Sequence, residues 1–237
     1  VLGKGIKRFY KQAGVEPTSG GFGITLDGKP VKTPLGLRLE VPAAALAQAI
    51  AAEWDAQDKD VKPDSMPLTQ LASTALDRVG PERAAISAQL MNYAATDLLC
   101  YRADFPPALV ERQARDWQPL MDWLRDHVGA ELIVTEGIIA VEQPTAAFQA
   151  LSRYMDGLDV WHLTAAQSAC AATGSLVLAL ALAADRIDGE TAYLLSQLDE
   201  TYQAEQWGED YEAADRRAAL KADILAAASL LALCKAK

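Results

Sequence analysis

Phe22-Gly23-Ile24-Thr25-Leu26-Asp27-Gly28-Lys29-Pro30-Val31-Lys32-Thr33 is the stretch whose reading decides the fold. Its first five residues alternate apolar with small or polar side chains, the period of a strand with one covered face. Asp27-Gly28 supplies the two residues that tolerate positive φ in a tight hairpin turn, and Lys29 to Thr33 runs back as the partner strand. Pro34-Leu35-Gly36 signals a second turn, after which Leu37-Arg38-Leu39-Glu40-Val41 resumes the alternation. Three or four short strands in a small sheet are expected, with Phe9 and Tyr10 read as its beginning.

Beyond Pro42 the chain turns Ala-rich. Pro42 suits a first helical position, and Leu46, Ile50 and Trp54 recur at i, i+4 and i+8 on a helix ending near Gln57. Further helices are expected over Leu68 to Val79, Pro81 to Tyr101, Pro107 to Val128, Thr145 to Asp156, Trp161 to Ala184, Glu190 to Trp207 and Tyr211 to Cys234. A brief strand is expected at Leu132-Ile133-Val134 and another at Gly137 to Val141. The expected class is α+β, with a small β-rich N-terminal domain over residues 1–41 and a larger all-helical domain over 42–237. A chain of 237 residues accommodates this as one large or two small domains.

With 51% hydrophobic and 23% charged residues the chain can bury a core and is neither disordered nor a membrane protein by composition. Leu163 to Ala184 holds no charged side chain, long enough to span a bilayer. Its interspersed Thr, Gln, Ser and Gly, its many alanines and its mixed-charge flanks point instead to a buried bundle helix. The net charge of −10 opposes adhesion to nucleic acid and to anionic membranes. That charge is unevenly spread. Residues 1–40 hold seven basic and three acidic side chains, a local net of +4, which leaves the rest of the chain near −14. Residues 188–215 carry nine carboxylates and no Lys or Arg.

Catalytic patterns are missing. Gly20-Gly21-Phe22-Gly23 leads into a strand rather than a helix and lacks the Gly-Lys-Ser/Thr of a phosphate loop, so it reads as a turn. His127 and His162 are the only histidines, and Asp159-x-x-His162 has no second acidic/His motif to complete a metal site. Cys100, Cys170 and Cys234 are odd in number, widely spaced and set in apolar segments, so they read as buried thiols in a reducing compartment. No metal or cofactor is expected. Trp54, Trp117, Trp123 and Trp161 fall in apolar helical patterns and read as core. Trp207 differs, because its neighbours Glu205, Gln206, Gly208, Glu209, Asp210 and Glu212 are polar or acidic and Gly208 can end the helix before it. An aromatic anchor among orienting carboxylates suits a basic, partly apolar protein patch.

Six motifs occur in order: Arg8-Phe9-Tyr10-Lys11, Leu26 to Pro34, Glu53-Trp54-Asp55-x-Gln57, Met66-Pro67-Leu68-Thr69, Thr96-Asp97-Leu98-Leu99-Cys100-Tyr101-Arg102 and Gln203-x-x-x-Trp207-Gly208. Together they resemble the assembly chaperone family of the F-type ATP synthase that handles the alpha subunit of the catalytic head. The resemblance runs from about Arg8 to Arg217. It implies a non-enzymatic protein that binds the free alpha subunit and keeps it from aggregating until the beta subunit replaces it. It implies no nucleotide or metal, and members in mitochondria and in alpha-proteobacteria. High Ala content and the lack of a transit segment favour a bacterial cytoplasm over a processed form in the mitochondrial matrix. A monomer is expected. The client-binding surface is read as Glu205, Trp207, Glu209, Asp210 and Glu212, while Glu53-Trp54-Asp55 and Thr96-Asp97 are read as helix-capping and packing residues of the scaffold. Two other functions compete: a small-molecule enzyme with a site between the β unit and the helices using Asp97, Tyr101 and Arg102, and a general holdase with no preferred client.

Overall fold

The computed structural model describes residues 6–137, 141–208 and 211–236. Five strands open it: β1 (Ile6–Lys7), β2 (Ala13–Pro17), β3 (Phe22–Leu26), β4 (Lys29–Pro30) and β5 (Glu40–Val41). The hairpin turn is where the dipeptide places it, with Asp27 at φ 49° and Gly28 at φ 77°. Strand β3 organises the four-stranded sheet. Along one edge it pairs antiparallel with all of β2, from Ala13 opposite Leu26 to Pro17 opposite Phe22. Its other edge is shared, with Leu26 opposite Lys29 of β4 at one end and Phe22 opposite Val41 of β5 at the other. Gly23 to Leu26 are accordingly all buried.

Phe9 and Tyr10 are a correction to the sequence reading, since they lie between β1 and β2 and belong to neither strand. Tyr10 instead turns inward, where its hydroxyl donates to the Trp54 carbonyl at 2.7 Å. Strand β1 has a partner of its own, β6 (Asp60–Val61).

Helix α1 (Ala44–Asp55) buries Leu46, Ala47, Ile50 and Ala51 and packs on β2, β3 and β5, the stripe that its apolar spacing requires. Helix α2 (Pro67–Thr74) follows and runs into a π-helical turn over Ala75–Val79. Next come α3 (Arg83–Ala95), a short strand β7 (Tyr101–Arg102), α4 (Pro107–Trp123) with a π-helical turn over Leu124–Val128, and β8 (Thr135–Glu136), which pairs parallel to β7. The expected strand at Leu132-Ile133-Val134 therefore starts at Thr135; of the second expected strand, residues 138–140 lie outside the described residues.

The remaining helices are α5 (Thr145–Asp156), α6 (Val160–Thr173), α7 (Leu176–Ala183), α8 (Gly189–Ser196), α9 (Leu198–Trp207) and α10 (Tyr211–Lys235). The single uncharged helix expected over 161–184 is two. Gly174 at φ 69° ends α6, and Ser175 caps α7 by accepting from the Leu178 N–H. All eight residues of α7 are buried, so the apolar run is the centre of a bundle, and no helix among the described residues is long and apolar enough to cross a membrane. The helix expected over Glu190 to Trp207 is also divided, at Gln197.

The chain forms two compact units. One takes the residues up to Arg83 and those from Ser229 on, and the other is Ala84–Ala228. Sheets near the N-terminus followed by helices make the fold α+β.

Candidate functional site

Helix α9 carries the aromatic and acidic side chains singled out by the sequence, and α4 holds it. Buried Leu198 anchors its first turn. Asp199, half-buried, accepts from Gln113 Nε2 at 2.7 Å, and the Gln113 Oε1 accepts from the Ala103 N–H at 2.8 Å. Burial pushes the Asp199 carboxyl above its ordinary value, while the Gln113 hydrogen bond and the Arg102 charge oppose that rise. One turn and a half further on, both Glu205 oxygens accept from Arg112 Nη1, at 2.9 and 3.1 Å. This pair is partly exposed and stabilises by no more than about 1 kcal/mol, so its use is to aim the helix end. Trp207 then stands 78% exposed on the last turn. The backbone departs at Gly208, whose φ of 89° breaks the helix there.

The acidic block is less bare than its sequence suggests. Asp188 caps α8 by accepting from the Thr191 N–H, Glu190 pairs with Lys221 at 2.9 Å, and Asp199 and Glu205 have the partners just given. Their cations and donors lie 31 to 93 positions away in the chain for Glu190 and Glu205 respectively, which hides the pairing from a local reading. Of the residues expected to form the client surface, Glu205 and Trp207 share the end of α9. Glu212 is the second residue of α10, and Glu209 and Asp210 lie outside the described residues.

The motif residues of the first unit hold one another. Glu53 accepts from the Leu68 and Thr69 N–H groups at 2.7 and 2.8 Å and from the Thr69 hydroxyl at 2.7 Å, which satisfies the open N-terminus of α2. Asp55 accepts from the Ala13 N–H at 2.7 Å and so ties α1 to β2. Arg8 donates to the carbonyls of Tyr10, Lys11, Asp55 and Gln57 while its guanidinium lies 4.7 Å from the centre of the Tyr10 ring.

Thr96-Asp97 leads into a second capping device. Asp97 is fully buried, and its oxygens accept from the Leu99 N–H (3.1 Å), the Ser175 hydroxyl (2.7 Å) and the Val177 N–H (3.0 Å). One side chain thus caps both the 3-10 turn at Leu98–Cys100 and α7. Burial raises its carboxyl above the ordinary range against the pull of those hydrogen bonds. Beside it burial and the Asp97 charge push the Cys100 thiol up to about 12, which keeps it protonated at neutral pH. Arg102 donates to the Leu99 and Gln113 carbonyls and lies 5.3 Å from the Trp117 ring centre. These groups act as struts for α4 and α7.

A feature that sequence reasoning did not single out is a groove of about 890 Å³ in the first unit, walled by Val31, Leu39, Trp54, Val61 and Met66. A second hollow of about 400 Å³ shares Val31, Lys32 and Trp54 with it. Leu35 on the rim of the groove is 73% exposed and Phe9 on the rim of the hollow 72%. The available signal was Leu35 itself, a large apolar residue at the tip of a Pro-x-Gly turn.

Comparison with known proteins agrees across nearly the whole chain. Residues 7–125 match the family model described as ATP12 chaperone protein. The crystal structure of Atp12 from Paracoccus denitrificans superposes with a TM-score of 0.90 at 40% identity, covering 97% of this chain and 99% of that one. A putative chaperone from Agrobacterium tumefaciens does so with a TM-score of 0.90 at 41% identity, covering 97% and 86%. The mitochondrial protein atp12 of Schizosaccharomyces pombe is 28% identical over 214 residues, 85% of this chain and 74% of that protein.

Proposed function

The chain belongs to the ATP12 family of chaperones, which serve assembly of the ATP synthase, and from that premise we propose that it captures the free alpha subunit of the catalytic head and shields it until the beta subunit takes its place. The observation that carries the choice of surface is Trp207. A tryptophan left 78% exposed at a helix end is an unspent apolar anchor, and the carboxylates that surround it in sequence orient a basic partner. Glu205, Glu209, Asp210 and Glu212 complete that surface in this reading. Contact of this kind covers client surface without chemistry, so the role needs no cofactor and no catalytic group. The same reading makes the protein a monomer of the bacterial cytoplasm.

Capture of tagged alpha subunit by the full chain tests it. Trp207→Ala is expected to weaken capture by about tenfold with the melting temperature unchanged, since the ring leaves no cavity behind. Joint reversal of Glu205, Glu209 and Glu212 to Lys is expected to weaken it further. Undiminished capture by both variants would show that the client binds elsewhere, and wild-type protein that retains no more alpha than beta subunit would remove the client assignment itself.

A further inference from the structure

From the packing of α4 against α9 we infer that Phe105 joins Trp207 as a second aromatic anchor, so that this end of the helix pair grips a basic, partly apolar polypeptide at two points. Among the described residues these are the two most exposed large apolar side chains, Trp207 at 78% and Phe105 at 74%. They are far apart in the chain, yet the helices bring them to one end. Trp117 Nε1 donates to the Leu195 carbonyl at 2.9 Å, Gln113 Nε2 to Asp199 at 2.7 Å and Arg112 Nη1 to Glu205 at 2.9 Å. Residue numbers fall along α4 as they rise through these partners, so α4 and α9 run antiparallel and the start of one lies beside the end of the other. At about 1.5 Å per helical residue, Pro107 and Trp207 both stand on the order of 10 Å beyond the Gln113–Asp199 bond, and Phe105 is two residues before Pro107. One buried side chain braces both anchors. Gln113 Oε1 accepts from the Ala103 N–H at 2.8 Å in the loop that carries Phe105, while its Nε2 holds α9 through Asp199. Arg102 tightens the same loop by donating to the Gln113 carbonyl at 3.0 Å. A ring presented on a braced loop loses little freedom when it is covered by a partner.

Charge sets the chemistry of that partner. Residues 101–116 carry three arginines and three carboxylates, which cancel, and residues 198–208 add Asp199, Glu200 and Glu205 with no Lys or Arg, an excess of three negative charges with every ion pair included. The neighbouring helices do not offset it: α7, which packs on α4, has no charged residue, and α8, which packs on α9, has only Glu190. Two apolar projections in an acidic surround complement a segment that carries Lys or Arg among apolar side chains. The inference rests on the capture reading in one respect, that Trp207 meets a polypeptide.

The test uses the full chain without any alpha subunit, so its failure and failure of the client assignment are separable. Two fluorescein-labelled, end-blocked peptides of twelve residues, which span up to about 40 Å when extended, are compared by anisotropy. One mixes leucine with lysine and the other leucine with glutamate. The lysine peptide is expected to bind about tenfold tighter in dilute buffer, with the ratio shrinking as salt is raised. Phe105→Ala and Trp207→Ala are each expected to weaken it about fivefold, and the double variant by about the product, because the two rings make separate contacts. Phe105→Leu, which keeps apolar contact, is expected to recover part of the loss. Both rings are exposed, so the thermal midpoints should match wild type and serve as the folding control. Wild-type affinity in Phe105→Ala, a double variant no weaker than Trp207→Ala alone, or a glutamate peptide bound as tightly as the lysine peptide overturns the inference.

Discussion

Asp97 shows how much a single side chain can hold. Its two oxygens serve three donors from two segments, Leu99 on one side and Ser175 and Val177 on the other, at no exposure to solvent. Asparagine in its place keeps one acceptor and turns an N–H group toward a donor, which costs about 1–3 kcal/mol for the group left unsatisfied. The carboxyl is raised by burial in the folded protein, so the folded state holds its proton more tightly than the unfolded chain. That contribution to stability is complete below the ordinary carboxylate range and is lost as pH rises through the elevated value. The advantage of wild type over Asp97→Asn in urea melts is thus expected to be largest in acid and to shrink with rising pH. An advantage that grows with pH would mean that the hydrogen bonds outweigh burial. Sequence reasoning read Thr96-Asp97 as a capping pair, and the geometry agrees. That it caps α7, about eighty positions away, was not legible, since nothing local links the two segments.

Elements were legible where their periodicity is self-contained and illegible where a partner cuts them short. The hairpin followed from Asp27-Gly28, and α1 followed from a stripe that one face of the sheet covers. The uncharged run over 163–184 has no stripe, because α7 is buried on every side, and periodicity cannot mark a boundary in a segment without a polar face. Gly174 and the capping Ser175 after it were the local cues to the break. Helix α8 has a comparable hidden constraint. Gly189 starts it, and a methyl group there would come within 2.9 Å of the Ala228 Cβ and 3.0 Å of Leu225 Cδ2 on α10. Around this approach Ala192 of α8, Ala172 of α6 and Ile224 of α10 form a small core covered by Ile187, Tyr193 and Leu220. Alanine is the better helix former, yet Gly189→Ala is expected to destabilise by about 1–2 kcal/mol through overpacking. A raised melting temperature in this variant would show that α8 shifts freely on α10.

At the scale of the molecule, the chain divides into two compact units. In the unit formed by Ala84–Ala228, the eight residues of α7 have the least access to solvent, and α4, α6 and α8 pack on it. Hydrogen exchange is expected to be slowest at the amides of Leu180 to Ala183, approaching the rate of global unfolding for that unit, and fastest toward the exposed end of α9. Faster exchange in α7 than in α9 would contradict this core. Charge belongs to the same scale. The sequence by itself determined that a β hairpin precedes a largely helical region, though not that the short strands β6, β7 and β8 interrupt it, that the chain resembles an ATP synthase assembly chaperone, and that acidic residues gather around Trp207, because turn chemistry, helix period and composition are local properties. Only the tertiary structure decided which of those carboxylates are neutralised, and that Lys32 and Leu35 rim an apolar groove with Lys29 on the adjoining hollow. Ion pairing, burial and concavity arise between residues far apart in the chain, and the energy that sets them exists only once the elements have packed.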